Sequence, residues 1–158
     1  MAEEQHIIAN LLTILNKVKT LKEEEFTFST FVKESKNGCG TICCVAGWFP
    51  KWFPNSPFRW SKDGPLTYSY LCVKGVFTTH GIIFKTLSDI IGTSRLETEY
   101  LFGGVTDHLL NFLLKTRLPI IPHAVTLKGL IAAWENFIEI KKIHCSIPQV
   151  SEPSIYFQ

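Results

Sequence analysis

The segment from Cys39 to Trp48, CGTICCVAGW, constrains this chain more than any other stretch, and it runs directly into Phe49 to Pro54, FPKWFP. Small side chains at Ala46 and Gly47 let a second element approach closely, while the thiols and the indole favour burial. The pattern predicts a buried helix opened by Gly40 and Thr41, capped by the Thr41 hydroxyl, and closed by prolines at about Trp48 or Phe49. It spells no catalytic signature.

With 158 residues, one domain is expected, and a chain of this size buries about 70% of the surface its unfolded form exposes. Apolar residues make up 46% and charged residues 19%, with 12 Phe, 4 Tyr and 4 Trp. One small core does not easily hide so much apolar surface, so a groove or a homo-oligomer interface is expected. The net charge of +2, without a Lys/Arg run, argues against nucleic acid as a partner. No apolar run reaches spanning length, and the acidic start Met1 to Gln5 lacks a signal peptide's basic region, so no membrane partner and a cytoplasmic location are expected. The five cysteines (39, 43, 44, 72 and 145) are odd in number and irregularly spaced, as free thiols in a reducing compartment would be.

Along the chain, Ile7, Ile8, Leu11, Leu12, Ile14, Leu15, Val18 and Leu21 recur at helical spacing and predict a helix from about Glu3 to Leu21. Lys22 to Glu25 reads as a solvated turn, Phe26 to Phe31 as a short extended segment, and Ser35 to Gly38 as a turn. Four prolines between Pro50 and Pro65 predict a long aromatic loop without regular structure. Thr67–Val73 and Val76–Thr79 alternate as strands do and can pair as a small β-hairpin around Lys74 and Gly75. Ile82 to Ile91 is apolar at helical spacing and ends at Gly92. Ser94 and Glu97 form a capping box for a helix through Phe102, stopped by Gly103 and Gly104. Asp107 to Lys115 gives a further helical turn or two, and Thr126 caps a last helix whose apolar face is Leu127, Leu130, Ile131, Trp134, Phe137 and Ile138. The fold class is therefore mostly α: a compact single domain over residues 1–148, with residues 149–158 as a flexible C-terminal tail.

Three segments together resemble a family of small proteins of bacteriophages and bacteria. They are Cys39-Gly40-Thr41-x-x-Cys44-x-Ala46-Gly47, preceded by the aromatic Phe26 and Phe31; Trp52-Phe53; and Ile91-Gly92-Thr93 leading to Glu97, Tyr100, Leu101 and Phe102. The resemblance spans about residues 26 to 135, and its cysteine–glycine segment is the most specific part. Where that family usually has Phe-Asp-Met, this chain has Phe26-Thr27-Phe28, so any role of the aspartate is missing here. The resemblance implies an intracellular phage or bacterial accessory protein acting against a host system, and it carries no reaction.

The chemistry-bearing residues admit bland and functional readings. Cys39 and Cys43 or Cys44 lack zinc-site spacing and a second pair, so no metal and no cofactor are expected. Cys43 or Cys44 could act as a nucleophile with His80, His108 or His123 as base and Asp107 as orienter, but no local signature joins them, and the chain is read as not an enzyme. Trp48, Lys51, Trp52, Arg59 and Trp60 are either a second hydrophobic cluster or a ligand groove, in which indoles stack a base and Arg or Lys meets phosphate. The backbone N–H groups at Gly40 and Thr41, and Arg95 at another helix start, would add to such an anion site. The leading expectation is a non-catalytic protein that captures a small anionic, nucleotide-like ligand. The alternative is an interaction module that blocks a host protein through exposed aromatics.

Overall fold

The computed structural model describes residues 2–26, 32–34, 45–60, 68–73, 76–77, 80–102, 114–116, 126–144 and 152–158. Helix dominates these residues: α1 (Ala2–Val18), α2 (Phe49–Trp52), α3 (His80–Ile91), α4 (Arg95–Phe102) and α5 (Leu127–His144). A helical turn also covers residues 114–116. The strands are β1 (Val32–Glu34), β2 (Phe58–Trp60), β3 (Tyr68–Val73) and β4 (Val76–Phe77). The mostly α fold expected from the periodicity is the one observed.

The long helices form where the apolar period is 3.6 and their ends are chemically marked. In α1 the buried Leu11, Ile14, Leu15 and Val18 face α5, whose own stripe is Leu127, Leu130, Trp134, Phe137 and Ile138. The Trp134 indole donates to the Leu101 carbonyl at 3.0 Å, fastening α5 to the end of α4, and Lys141 pairs with Glu97 at 2.6 Å across the same seam. The capping box at α4 is complete: the Ser94 amide donates to Glu97 Oε1 at 2.9 Å, and the Glu97 amide donates to Ser94 Oγ at 3.2 Å. Helix α3 ends at Gly92, whose φ of +94° suits only glycine at low cost. An added Cβ there would meet Ile7 Cγ1 at 2.8 Å, so the glycine also lets α1 pass closely over the α3–α4 corner.

The expected hairpin is present, with Cys72 opposite Phe77 and Val73 opposite Val76. It belongs to a larger antiparallel sheet than the alternation alone implied. Strand β3 lies between β1 and β2, with Val32 opposite Tyr70 and Arg59 opposite Cys72.

Several expectations change. The segment 50–65 is not without regular structure in its described part: most of α2 and all of β2 fall in it. Pro50 does not close a helix. It stands in the first turn of α2, where its missing N–H is not needed. Before it, Val45–Trp48 is a buried 3-10 turn rather than an α-helix, and Ala46 and Gly47 are buried as their size predicted. Residues 39–44 lie outside the described residues, as do Gly103, Gly104 and Asp107.

The described end of the chain is not a loose tail. Phe157 is buried in the main core, with its ring edge-to-face on Phe53 at 5.0 Å and on Phe49 at 6.0 Å. One aromatic anchor, together with backbone hydrogen bonds, holds this segment against its chain entropy.

Candidate functional site

Three of the expected ligand residues come together on one turn. Trp48, Lys51 and Trp52 occupy i, i+3 and i+4, so the helical repeat stacks them on a single face. The Trp48 and Trp52 rings are nearly parallel, with centroids 5.7 Å apart and an interplanar angle of 15°. Lys51 Nζ stands 5.5 Å from the Trp48 centroid, within cation–π range. Lys51 is exposed, Trp52 half-buried and Trp48 buried. The Trp48 Nε1–H is sealed from solvent and has no hydrogen-bond partner among the described residues. Such a donor costs about 1–3 kcal/mol if it stays unpaired.

The adjacent face of α2 is structural. Phe49 and Phe53 are edge-to-face at 5.1 Å, and Phe49 also meets Phe58 at 5.7 Å and Phe102 at 5.9 Å. The aromatic segment thus serves largely as core, and its Trp face is what remains for a ligand.

The other expected residues do not converge there. Arg59 is committed to its own loop: Nη1 donates to the Ser56 carbonyl at 2.6 Å and to the Phe58 carbonyl, and Nη2 donates to the Pro54 carbonyl at 2.7 Å. Those bonds close the turn between α2 and β2, and they occupy the guanidinium fork that a phosphate would need. Arg95 pairs with Glu99 at 3.1 Å, donates to the Gly81 carbonyl at 3.3 Å and lies 5.6 Å from the Phe84 ring centroid. It clamps α4 to the start of α3. Trp60 is half-buried and packs on the core from β2. Gly40 and Thr41 lie outside the described residues, as do Cys39, Cys43, Cys44, Cys145, His108 and His123. Among the described residues, no three His, Cys, Asp or Glu side chains gather where a metal could sit. No helix among them is long and apolar enough to cross a membrane.

Sequence reasoning missed three positioning residues. Glu23 reads as part of a solvated acidic turn, yet its carboxylate caps α5 from 104 residues away: Oε2 accepts from the Leu127 amide at 3.0 Å and Oε1 from the Lys128 amide at 3.2 Å. The Thr126 hydroxyl, the expected cap, accepts from Gly129 at 3.0 Å alongside it. Asn10 reads as a polar interruption of α1, yet it is buried and bridges two segments. Its Nδ2 donates to the Ile91 carbonyl at 3.0 Å, and its Oδ1 accepts from the Ser154 amide at 2.8 Å. Phe157 is the third. A lone Asn on an otherwise apolar helix face was the only local signal, because an amide is buried only with partners.

Tyr100, in the family-like segment, is buried against Phe137, with ring centroids 6.0 Å apart. Its hydroxyl has no hydrogen-bond partner among the described residues, and burial pushes its pKa up to about 12. It is a core residue held in the neutral form.

No protein-family model matches this sequence, and no curated protein or solved structure is similar enough to be matched to it.

Proposed function

We propose that this protein is a non-catalytic binding protein that captures a small anionic, nucleotide-like molecule at the Trp48–Lys51–Trp52 corner. The observation that carries this reading is the sealed, unpartnered Trp48 indole N–H beside a stacked indole and an exposed ammonium. In this reading a phosphate oxygen supplies the missing acceptor. Lys51 neutralises its charge, and the solvent-facing part of Trp52 stacks the base. The phage and bacterial context of the resembling family makes such capture a sequestration step in anti-defence. Arg59 and Arg95 are left out of the site because their donors hold backbone and Glu99.

Calorimetry of the full chain against cyclic and linear nucleotides tests this. Trp52→Ala and Lys51→Ala should each weaken binding about tenfold, the worth of a stacked base or of a charge-assisted contact. Arg59→Ala and Arg95→Ala should leave the affinity unchanged wherever the fold is intact. If no nucleotide binds, or if the first two variants bind like the wild type, the reading is wrong. The exposed Ile155 and Tyr156, presented side by side, favour the second reading: an interaction module that blocks a host protein.

A further inference from the structure

The segment Glu152–Gln158 lies on the body of the protein much as a bound peptide lies in a groove. Only one of its side chains is deeply buried: Phe157, between Phe49 and Phe53. Ile155 and Tyr156 point enough of themselves outward to be 67% and 38% exposed, so they add little to holding the segment. Four side-chain hydrogen bonds from the body read its backbone. Asn10 accepts the Ser154 N–H at 2.8 Å. Asn55 Nδ2 reaches the carbonyls of Ile155 at 3.4 Å and Gln158 at 3.3 Å, and the His6 ring, through Nδ1, bonds the Glu152 carbonyl at 2.9 Å.

Two of these features belong to a built site. Asn10 is 2% exposed and is oriented by a second bond from Nδ2 to Ile91, so its acceptor is aimed at the segment. The Phe49–Phe53 pair is fixed by Phe58 and Phe102, so the aromatic slot is backed by the core. One aromatic pocket plus oriented amides for main-chain groups is how short linear peptides are recognised, with affinity from the backbone and selectivity from the pocket.

We propose that His6, Asn10, Phe49, Phe53 and Asn55 form a peptide-docking groove, occupied in cis by residues 152–158. It accepts in trans a partner's extended segment of the same chemistry: a small polar residue whose amide is free, followed three positions on by an aromatic. The chain's own segment is then a competitor that sets the threshold for the partner. The occupant is argued from the segment seated there, in which the Ser154 amide meets Asn10 and the Phe157 ring fills the aromatic slot. This proposal is independent of the nucleotide reading: it uses Phe49 and Phe53, not the adjacent Trp face.

The probe is a fluorescent peptide of sequence EPSIYFQ, titrated into the full chain. The Phe157→Ala variant, which cannot fill the slot in cis, should bind it at least tenfold more tightly than the wild type does. The Phe157→Ala version of the peptide should lose that binding. Adding Asn55→Ala, an exposed change, to the Phe157→Ala chain should weaken binding severalfold. Equal binding to both chains, or binding of the altered peptide, overturns the proposal. So does a folded Phe157→Ala chain that fails to bind. Exchange of the segment between two copies, seen as concentration-dependent dimerisation of the wild type, replaces the partner peptide and also overturns it. Hydrogen exchange on the wild type decides the matter if the variant does not fold. The Ser154 and Phe157 amides should exchange at least a hundredfold faster than those of Leu130 and Trp134, because the segment lifts without global unfolding. Equal rates mean that the groove never opens.

Discussion

Replacing Tyr100 by Phe should make the protein more stable. Tyr100 is 2% exposed, and its hydroxyl is buried without a hydrogen-bond partner among the described residues. Folding therefore strips water from the hydroxyl and returns nothing. An unmade hydrogen bond of this kind costs about 1–3 kcal/mol, and the Phe ring keeps the packing on Phe137. Allowing for the small space left by the oxygen, Tyr100→Phe should gain about 1 kcal/mol, which for a chain of this size is about 2–4 °C in Tm. The pH dependence gives an independent check. The folded pKa is about 12 against an ordinary 10, so between these values the unfolded chain has released the phenolic proton while the folded chain still holds it. Stability is thus highest below pH 10 and falls as pH rises through this window. The wild type should lose about 1.4 kcal/mol relative to Tyr100→Phe by pH 11. Urea unfolding of both proteins at pH 8 and pH 11 measures the difference, and lysine titration cancels because both chains share it. A destabilisation of more than about 0.5 kcal/mol by Tyr100→Phe, or a gap that does not widen with pH, refutes this reasoning. Either result means that the hydroxyl has a partner or meets solvent.

Two further changes probe how the frame is held. Arg59→Ala should cost about 1–2 kcal/mol in a denaturant melt, since three loop carbonyls lose their donor, and Arg59→Lys should recover little because an ammonium lacks the planar fork. An unchanged midpoint for Arg59→Ala would show that the turn closes without it. Gly92→Ala should cost about 1–2 kcal/mol, because alanine pays for a φ of +94° and its Cβ crowds Ile7. Thermal unfolding of the purified variant checks this, and a shift below 1 °C contradicts it.

The sequence by itself determined those elements whose causes lie within a few residues. Helices α1, α3, α4 and α5 follow from a 3.6-residue apolar period, and their ends from local chemistry, as at Ser94 and Glu97 or at Gly92. The hairpin followed from alternation around Lys74 and Gly75. Trp48, Lys51 and Trp52 were legible as candidate residues, but the turn that brings them to one face was not, because Pro50 reads as a break and instead stands in the first turn of α2.

Only the tertiary structure decided what depends on contacts between distant residues. Proline content marked 50–65 as irregular, but burial of Phe49, Phe53 and Phe58 makes it core. A basic residue near aromatics reads the same whether it awaits a phosphate or ties down carbonyls, and Arg59 does the second. Glu23 caps a helix 104 residues away, and Phe157 fills a slot built by Phe49 and Phe53. Neither leaves a periodic trace, because a cap or an anchor is one side chain whose meaning is supplied by whatever the folded chain brings beside it.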